Sequence, residues 1–342
     1  MTDIQLPNDV LVIAEAGVNH NGNLETAKKL VEVAAKAGAD YVKFQTFSAE
    51  TLATANAPQA EYQRRSELTG TLNQLEMLRK LELSKEDHVE LIKHCEKHEI
   101  RFLSTGFDVG SLDILFSLGV RLFKIPSGEL TNFPYLAHVG SLKCPVILST
   151  GMATIPEIRW ALETLVAAGQ SRQSISILHC TTSYPTPMSQ ANLLAIQTLR
   201  REFHLEVGYS DHTLGLEASI AAVALGAKII EKHFTLNRDQ PGPDHAASLE
   251  PLELESLVRS IRETSASLGD GIKVPQDCEL ENIAVARKSI VASEDISKGD
   301  LFTEENLTTK RPGYGISPML WKEVIGTRAI RAFRIDEMIT LE

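Results

Sequence analysis

Tyr41-Val42-Lys43-Phe44-Gln45-Thr46 is a short β-rich run that ends on polar residues, and it follows an amphipathic helical pattern over residues 24–37. The same unit recurs along the chain. Similar runs occupy residues 10–14, 101–105, 122–125, 146–149, 175–180, 205–209 and 228–233, with helical patterns at 85–97, 155–168 and 217–225 among the segments between them. Alternating strand and helix marks repeated βα units around a parallel sheet. Eight such runs predict an α/β fold of the (β/α)8 TIM-barrel type. An open doubly wound sheet is the alternative, but no Gly-x-Gly-x-x-Gly turn follows the first run. Residues 48–84 are too long for a plain loop and are expected to decorate the site.

In a barrel the chemistry sits at the C-terminal ends of the strands. Here almost every run ends in or runs into polar residues: Glu15, Asn19 and His20 after the first, Lys43, Gln45 and Thr46 in the second, Ser104 and Thr105 in the third. Lys124 and Ser127 close the fourth, Ser149-Thr150-Gly151 the fifth, Thr181 to Tyr184 the sixth, Ser210-Asp211-His212 the seventh and Lys232-His233 the eighth. Loops are polar anyway, so one such end means little; the same edge repeated eight times with lysines, hydroxyls and histidines means more. Lys43 and Lys124 close apolar strands, where a structural lysine is uncommon. Two cations in one barrel mouth repel unless a phosphate or carboxylate neutralises them, or each pairs with a glutamate such as Glu129 or Glu231. Ser127-Gly128, Ser149-Thr150-Gly151 and Ser210 would add donors to a phosphate cradle. His212 and His233 end neighbouring strands and, with a carboxylate such as Glu15 or Asp211, suit a divalent metal. A core or hydrogen-bonding role is the plainer reading of any one histidine. His88, His94 and His98 recur on one helix and read as solvent-facing, and His179 reads as a packed residue.

Composition limits the rest. With 342 residues the chain exceeds the size at which a single core stops growing, and 43% apolar with 23% charged residues is ordinary for a globular protein. A formal charge of −11 argues against a nucleic-acid or anionic-membrane surface. There is no apolar run near the roughly 20 residues a span needs, and the N-terminus does not read as a signal peptide. The four cysteines show no CxxC pairing. A cytoplasmic location is the default expectation. Residues 1–268 are read as the catalytic barrel, 269–282 as a polar linker, and 283–342 as a small β-rich domain. Ile290-Val291-Ala292 with Ile296 is echoed there by Ile330-Arg331-Ala332 with Ile335.

The motifs Ala14 to Gly22, Val42 to Thr46, Phe123 to Glu129, Ser149-Thr150-Gly151-Met152 and Tyr184-Pro185-Thr186-Pro187 resemble those of the N-acetylneuraminate (sialic acid) synthase family. Gly208 to His212, Glu231 to Thr235, Gly242-Pro243-Asp244-His245, Ala286 to Ile290 and Lys310 to Gly313 match in the same order, so the likeness spans the chain. The resemblance, which extends to legionaminic and pseudaminic acid synthases, implies a barrel followed by an antifreeze-like (SAF) domain. It also implies a domain-swapped homodimer and a transferase that joins phosphoenolpyruvate to an N-acylated aldose. N-acetylmannosamine is the first expectation for the acceptor, a 2,4-diacetamido-6-deoxyhexose the alternative, and a sugar 6-phosphate a third that lacks a basic cluster. A carbohydrate- or ice-binding protein is the rival of a different class, and it leaves the barrel-edge residues unexplained.

Carried over by position, Lys43 and Thr105 resemble the contacts to the phosphoenolpyruvate carboxylate. Lys124, Ser127, Ser149 and Ser210 resemble the phosphate cradle, with Thr182 beside it. His212 and His233 resemble ligands of a divalent metal, manganese first, with magnesium or cobalt as alternatives. Glu15 resembles the catalytic carboxylate, and Gln45, Tyr184 and Asp244 the contacts to the sugar. Arg311 resembles an arginine that reaches a neighbouring subunit's site. Three departures stand out: Gly106, expected to loosen the loop after the third strand, Thr182 itself, and Tyr314.

Overall fold

The computed structural model describes residues 10–59 and 73–342, so the N-terminal start and residues 60–72 of the long excursion lie outside the described residues. The chain divides into two compact units, Met1–Gly269 and Asp270–Glu342.

In the first unit, β1 (Leu11–Gly17), β2 (Tyr41–Thr46), β3 (Arg101–Gly106), β4 (Phe123–Ile125), β5 (Val146–Ser149), β6 (Ile175–Cys180), β7 (Val207–Asp211) and β8 (Ile229–His233) form a closed barrel. All neighbours pair in parallel, and β8 closes on β1 with Glu15 opposite His233. The helices between them start where the sequence supplies caps. Asn23 accepts from the Thr26 amide, and Ser84 and Asp87 make a capping box for the helix Lys85–Lys97.

Alternation along each strand sorts residues to two faces. Leu11, Ile13, Leu103, Leu122, Ile147, Leu178 and Ile229 fill the barrel's lower interior, while Val12, Ala14, Val42, Phe44, Val146 and Ile177 pack outward into the helical layer. Two steps further along the inward rows the apolar residues give way to Glu15, Thr105, Lys124, Ser149, Cys180 and Glu231. The interior is therefore a plug of aliphatic side chains with a polar layer above it.

Two strands differ from the sequence reading by more than one residue at an end, β1 and β7, while β3, β4 and β8 differ by a single residue. β7 runs from Val207 rather than 205, because the helix Ala195–Phe203 ends on His204 in a left-handed conformation (φ 52°) and the chain is still leaving the helix at Leu205. β1 continues to Gly17, where the register with β2 shifts and Gly17 adopts φ 53°. The left-handed φ favours glycine there, while a β-carbon would make ordinary contact, 3.4 Å from Glu15 Oε1 and the His233 ring.

The described part of the excursion contains the helices Ala49–Leu52 and Gln74–Arg79, which bury Ala49, Met77 and Leu78 with Val18, Phe47 and Leu81. Gly106 is not a loose loop residue. It ends β3 opposite Thr46, accepts a 2.6 Å hydrogen bond from the Tyr135 hydroxyl, and packs so closely that a β-carbon would lie 3.0 Å from Leu112.

The second unit pairs β9 (Ser289–Ala292) with β10 (Leu307–Lys310), antiparallel, over a small core of Ile290, Ala292, Ile296, Phe302, Leu307, Val324, Ala329, Phe333 and Ile339. The internal echo appears as mutual Ile296 and Phe333 backbone hydrogen bonds, not as a second regular strand. The segment read as linker contains the start of a short helix, Leu280–Ala286. Among the described residues no helix is long and apolar enough to cross a membrane.

Candidate active site

The mouth of the barrel holds a cavity of about 370 Å³. Its lining includes Glu15, Lys43, Gln45, Thr105, Lys124, Ser127, Ser149, Thr182, Tyr184, Ser210, His212, His233 and Asp244. Of the residues expected from sequence, Arg311 alone is absent from that lining: it is an exposed residue after β10 in the second unit. The loop that carries it is fixed within that unit by Ser289, whose hydroxyl donates to the Pro312 carbonyl and accepts from the Gly315 amide.

The charged floor is a chain of buried groups. Lys43 Nζ lies 2.8 Å from Glu15 Oε2 and 3.5 Å from Glu231 Oε2, and it donates to Thr105 Oγ1 at 2.9 Å. Lys124 Nζ lies 3.3 Å from Glu231 Oε1, which also accepts from Ser210 Oγ at 2.9 Å. Of the glutamates weighed as partners, Glu231 stands between both lysines. Their repulsion is therefore first answered within the protein. Glu231 was missed as a site residue, although it stands two positions before His233 on the same strand and so shares its face.

Burial raises the Glu15 carboxyl above its usual range, Lys43 pulls it back, and the Glu231 charge pushes it up again. Burial opposes the Glu231 charge too, but Lys124 and Lys43 together outweigh it and hold that carboxyl low. Burial likewise lowers Lys124, whereas Glu15 and Glu231 more than restore Lys43. With Glu231 held ionised and the Glu15 carboxyl raised, the two lysines face the cavity with less than full carboxylate compensation, an arrangement suited to an anionic ligand.

Beside the lysines, Ser127 Oγ accepts from the Gly151 amide at 3.0 Å and sits 3.2 Å from Cys180 Sγ. A β-carbon at Gly151 would fall 2.3 Å from Thr182 Oγ1 and 2.8 Å from Ser127 Oγ, so only glycine leaves this corner open.

On the far side of the floor the His212 and His233 rings lie 5.6 Å apart, with Tyr184 4.1 Å from the first and 5.7 Å from the second. His212 Nδ1 donates to the Thr181 carbonyl at 2.8 Å, which leaves Nε2 as the ring's acceptor nitrogen, with only a long 3.4 Å contact to Ser210 Oγ. Burial lowers both imidazoles, His212 to about 4 and His233 well below its ordinary value, which keeps them in the neutral form a metal requires. His233 Nδ1 is buried without a hydrogen-bond partner, 3.9 Å from Asp244 Oδ2. This donor set fits a divalent ion with open positions. Asp211, the other carboxylate considered from sequence, faces outward: it bonds Lys232, Thr213 and Ser219. Of the helix histidines read as solvent-facing, His88 is buried and meets Thr46 Oγ1 at 2.7 Å.

The NeuB family model matches residues 30–273, and the SAF domain model matches 287–342. The chain belongs to the NeuB family. The sialic, legionaminic and pseudaminic acid synthases of this family are phosphoenolpyruvate-dependent condensing enzymes, and the chain is an enzyme of that class. This NeuB-family chain is 53% identical to an N,N'-diacetyllegionaminic acid synthase of Campylobacter jejuni, over 96% of its own length and 98% of that protein's. An N,N'-diacetyllegionaminic acid synthase of Legionella pneumophila is 49% identical, over 93% of this chain and 89% of that one. Among solved structures, the N-acetylneuraminic acid (sialic acid) synthetase of Leptospira borgpetersenii, in complex with citrate, superposes with a TM-score of 0.72 at 35% identity. That match covers 82% of this chain and 95% of that one.

Proposed function

We propose that this enzyme condenses phosphoenolpyruvate with the open-chain aldehyde of a 2,4-diacetamido-6-deoxyhexose and water, giving a legionaminic acid-type product and inorganic phosphate. The observation that carries the choice of acceptor is the pair of near-full-length relatives at 53% and 49% identity, both named for that product. The N-acetylneuraminic acid synthetase structure shares 35%. The cavity wall agrees in character. Val18, Leu52, Met77, Leu78, Leu81 and Phe107 line it, an apolar surface that suits a methyl group better than a hydroxymethyl. Among the described lining residues the lysines at 43 and 124, both assigned to the donor in this reading, are the only cations other than histidine.

In this reading Lys43 and Thr105 hold the donor's carboxylate, and Lys124, Ser127, Ser149 and Ser210 hold its phosphate, with Thr182 at the edge. Gln45, Tyr184 and Asp244 orient the sugar. C3 of the enol attacks the aldehyde carbon, and the new alkoxide takes a proton from the Glu15 carboxyl. Water then adds to C2 and its proton returns to Glu15. The resulting tetrahedral centre expels phosphate by C–O cleavage, so the acid is regenerated and the atoms balance. Fixed positive charge from the two lysines faces the carboxylate and phosphate throughout. A divalent ion held by His212 and His233, manganese first, would supply Lewis-acid polarisation of the aldehyde oxygen.

Phosphate release is to be measured with chelator-stripped, manganese-refilled enzyme against the diacetamido sugar, N-acetylmannosamine and its 6-phosphate. The diacetamido sugar should give the highest kcat/KM, and stripping should abolish turnover. Higher kcat/KM with N-acetylmannosamine would overturn the acceptor while leaving the reaction class intact. The resemblance also supports a homodimer in which Arg311 completes a neighbouring site. Mixed Arg311→Ala and Glu15→Ala subunits should then regain activity that neither variant has alone.

A further inference from the structure

Helix Lys85–Lys97 lies beside helix Leu24–Lys36 on the outside of the barrel, and the seam between them carries histidines that the reaction does not use. His94 and His98, the residue that caps the helix just past Lys97, stand one turn apart, with ring centroids 4.6 Å apart. Glu32 of the neighbouring helix reaches toward both. Its Oε1 lies 3.1 Å from His94 Nε2 and 4.0 Å from His98 Nε2, and the three donor atoms fall within 4.8 Å of one another. In a tetrahedral shell with bonds of about 2.0–2.1 Å, donors sit roughly 3.3 Å apart. The group needs little closing to reach that spacing.

We propose that Glu32, His94 and His98 form a second, peripheral site for a borderline transition-metal dication of the Zn2+ type. A plain surface hydrogen bond accounts for the contact between His94 and Glu32, but it leaves His98 unexplained. The Nε2 of His98 is shielded from solvent and has no hydrogen-bond partner, although the side chain as a whole is 29% exposed. A buried ring nitrogen 4.0 Å from a carboxylate oxygen, too far for a hydrogen bond, is satisfied when a cation sits between them. The chemistry of the donors sets the class of ion. Two imidazoles and one carboxylate suit zinc, nickel or copper, whereas magnesium and calcium prefer all-oxygen shells. Glu32 is half exposed, which leaves room for water in the remaining positions.

The site has a mechanical consequence. Its ligands come from two helices, so an ion ties them together outside the wall formed by β1 and β2. It is also separate from the cavity, because none of its residues lines the barrel mouth. Occupancy should therefore change stability without changing turnover.

The test uses tag-free, full-length protein stripped with a chelator. Zinc bound per subunit is counted after equilibrium dialysis for wild type, His98→Ala and Glu32→Gln, and Tm is read with and without zinc. Each variant should bind one equivalent fewer than wild type, lose part of the zinc-dependent rise in Tm, and retain manganese-supported phosphate release. The exposed Glu32 position keeps the test valid if His98→Ala does not fold. Zinc stoichiometry equal to wild type in the folded variants would overturn the proposal.

Discussion

Lys43 and Lys232 are equally buried, at 3% and 2% exposure, yet they stand on opposite faces of the barrel wall and do different work. Facing outward, Lys232 donates to Asp211 Oδ2 and to the Thr213 carbonyl, both at 2.8 Å. Asp211 in turn accepts from Ser219 Oγ, Thr213 Oγ1 and the Thr213 amide. That network is closed. Facing inward, Lys43 shares Glu15, Thr105 and Glu231, and all four line the cavity. That network opens into the cavity. The same residue types, at the same depth, build structure where they are sealed in the wall and a binding floor where they border open space.

The largest effect should come from the closed side. Lys232→Met strands Asp211 as a buried, under-paired charge and should cost about 3–5 kcal/mol of stability, read by denaturant unfolding. A loss below roughly 1 kcal/mol, the worth of an exposed pair, would erase the distinction. Next in size, Lys124→Ala should weaken phosphoenolpyruvate binding by about 2–5 kcal/mol, as a rise in KM, while the protein stays folded, because Glu231 still has Lys43. If this variant loses stability as Lys232→Met does while its KM for phosphoenolpyruvate holds, Lys124 belongs with Lys232. The smallest effect sharpens the outward side. Thr46 Oγ1 meets His88 and Ser104, each at 2.7 Å, so Thr46→Val leaves both without that partner. It should cost about 1–3 kcal/mol in thermal unfolding, with KM for phosphoenolpyruvate unchanged.

The same two faces explain what could be read from the sequence. Barrel strands were legible because an apolar run followed by a lysine or hydroxyl is a local signal, and β2, β5 and β6 start and stop where that signal does. The cavity residues followed from the strand ends and from the family motifs. Which face a polar residue takes was harder to see, since it depends on strand register. Asp211 entered as a metal neighbour and turned out to serve Lys232, whereas Glu231, one residue before Lys232, faces the cavity. His88 read as exposed because helical spacing groups it with His94 and His98. What buries it is contact with the end of β2, which no local pattern encodes.

Gly151 carries a consequence for how such enzymes can diverge. With Thr182 Oγ1 2.3 Å from where its β-carbon would be, this corner tolerates no side chain unless neighbouring hydroxyls move. The cavity lining also includes Leu52, Met77, Leu78 and Leu81, flexible aliphatics that can be exchanged for one another at modest expense. A mutant library spread evenly over the cavity should therefore keep more live members at these aliphatic positions than at Gly151.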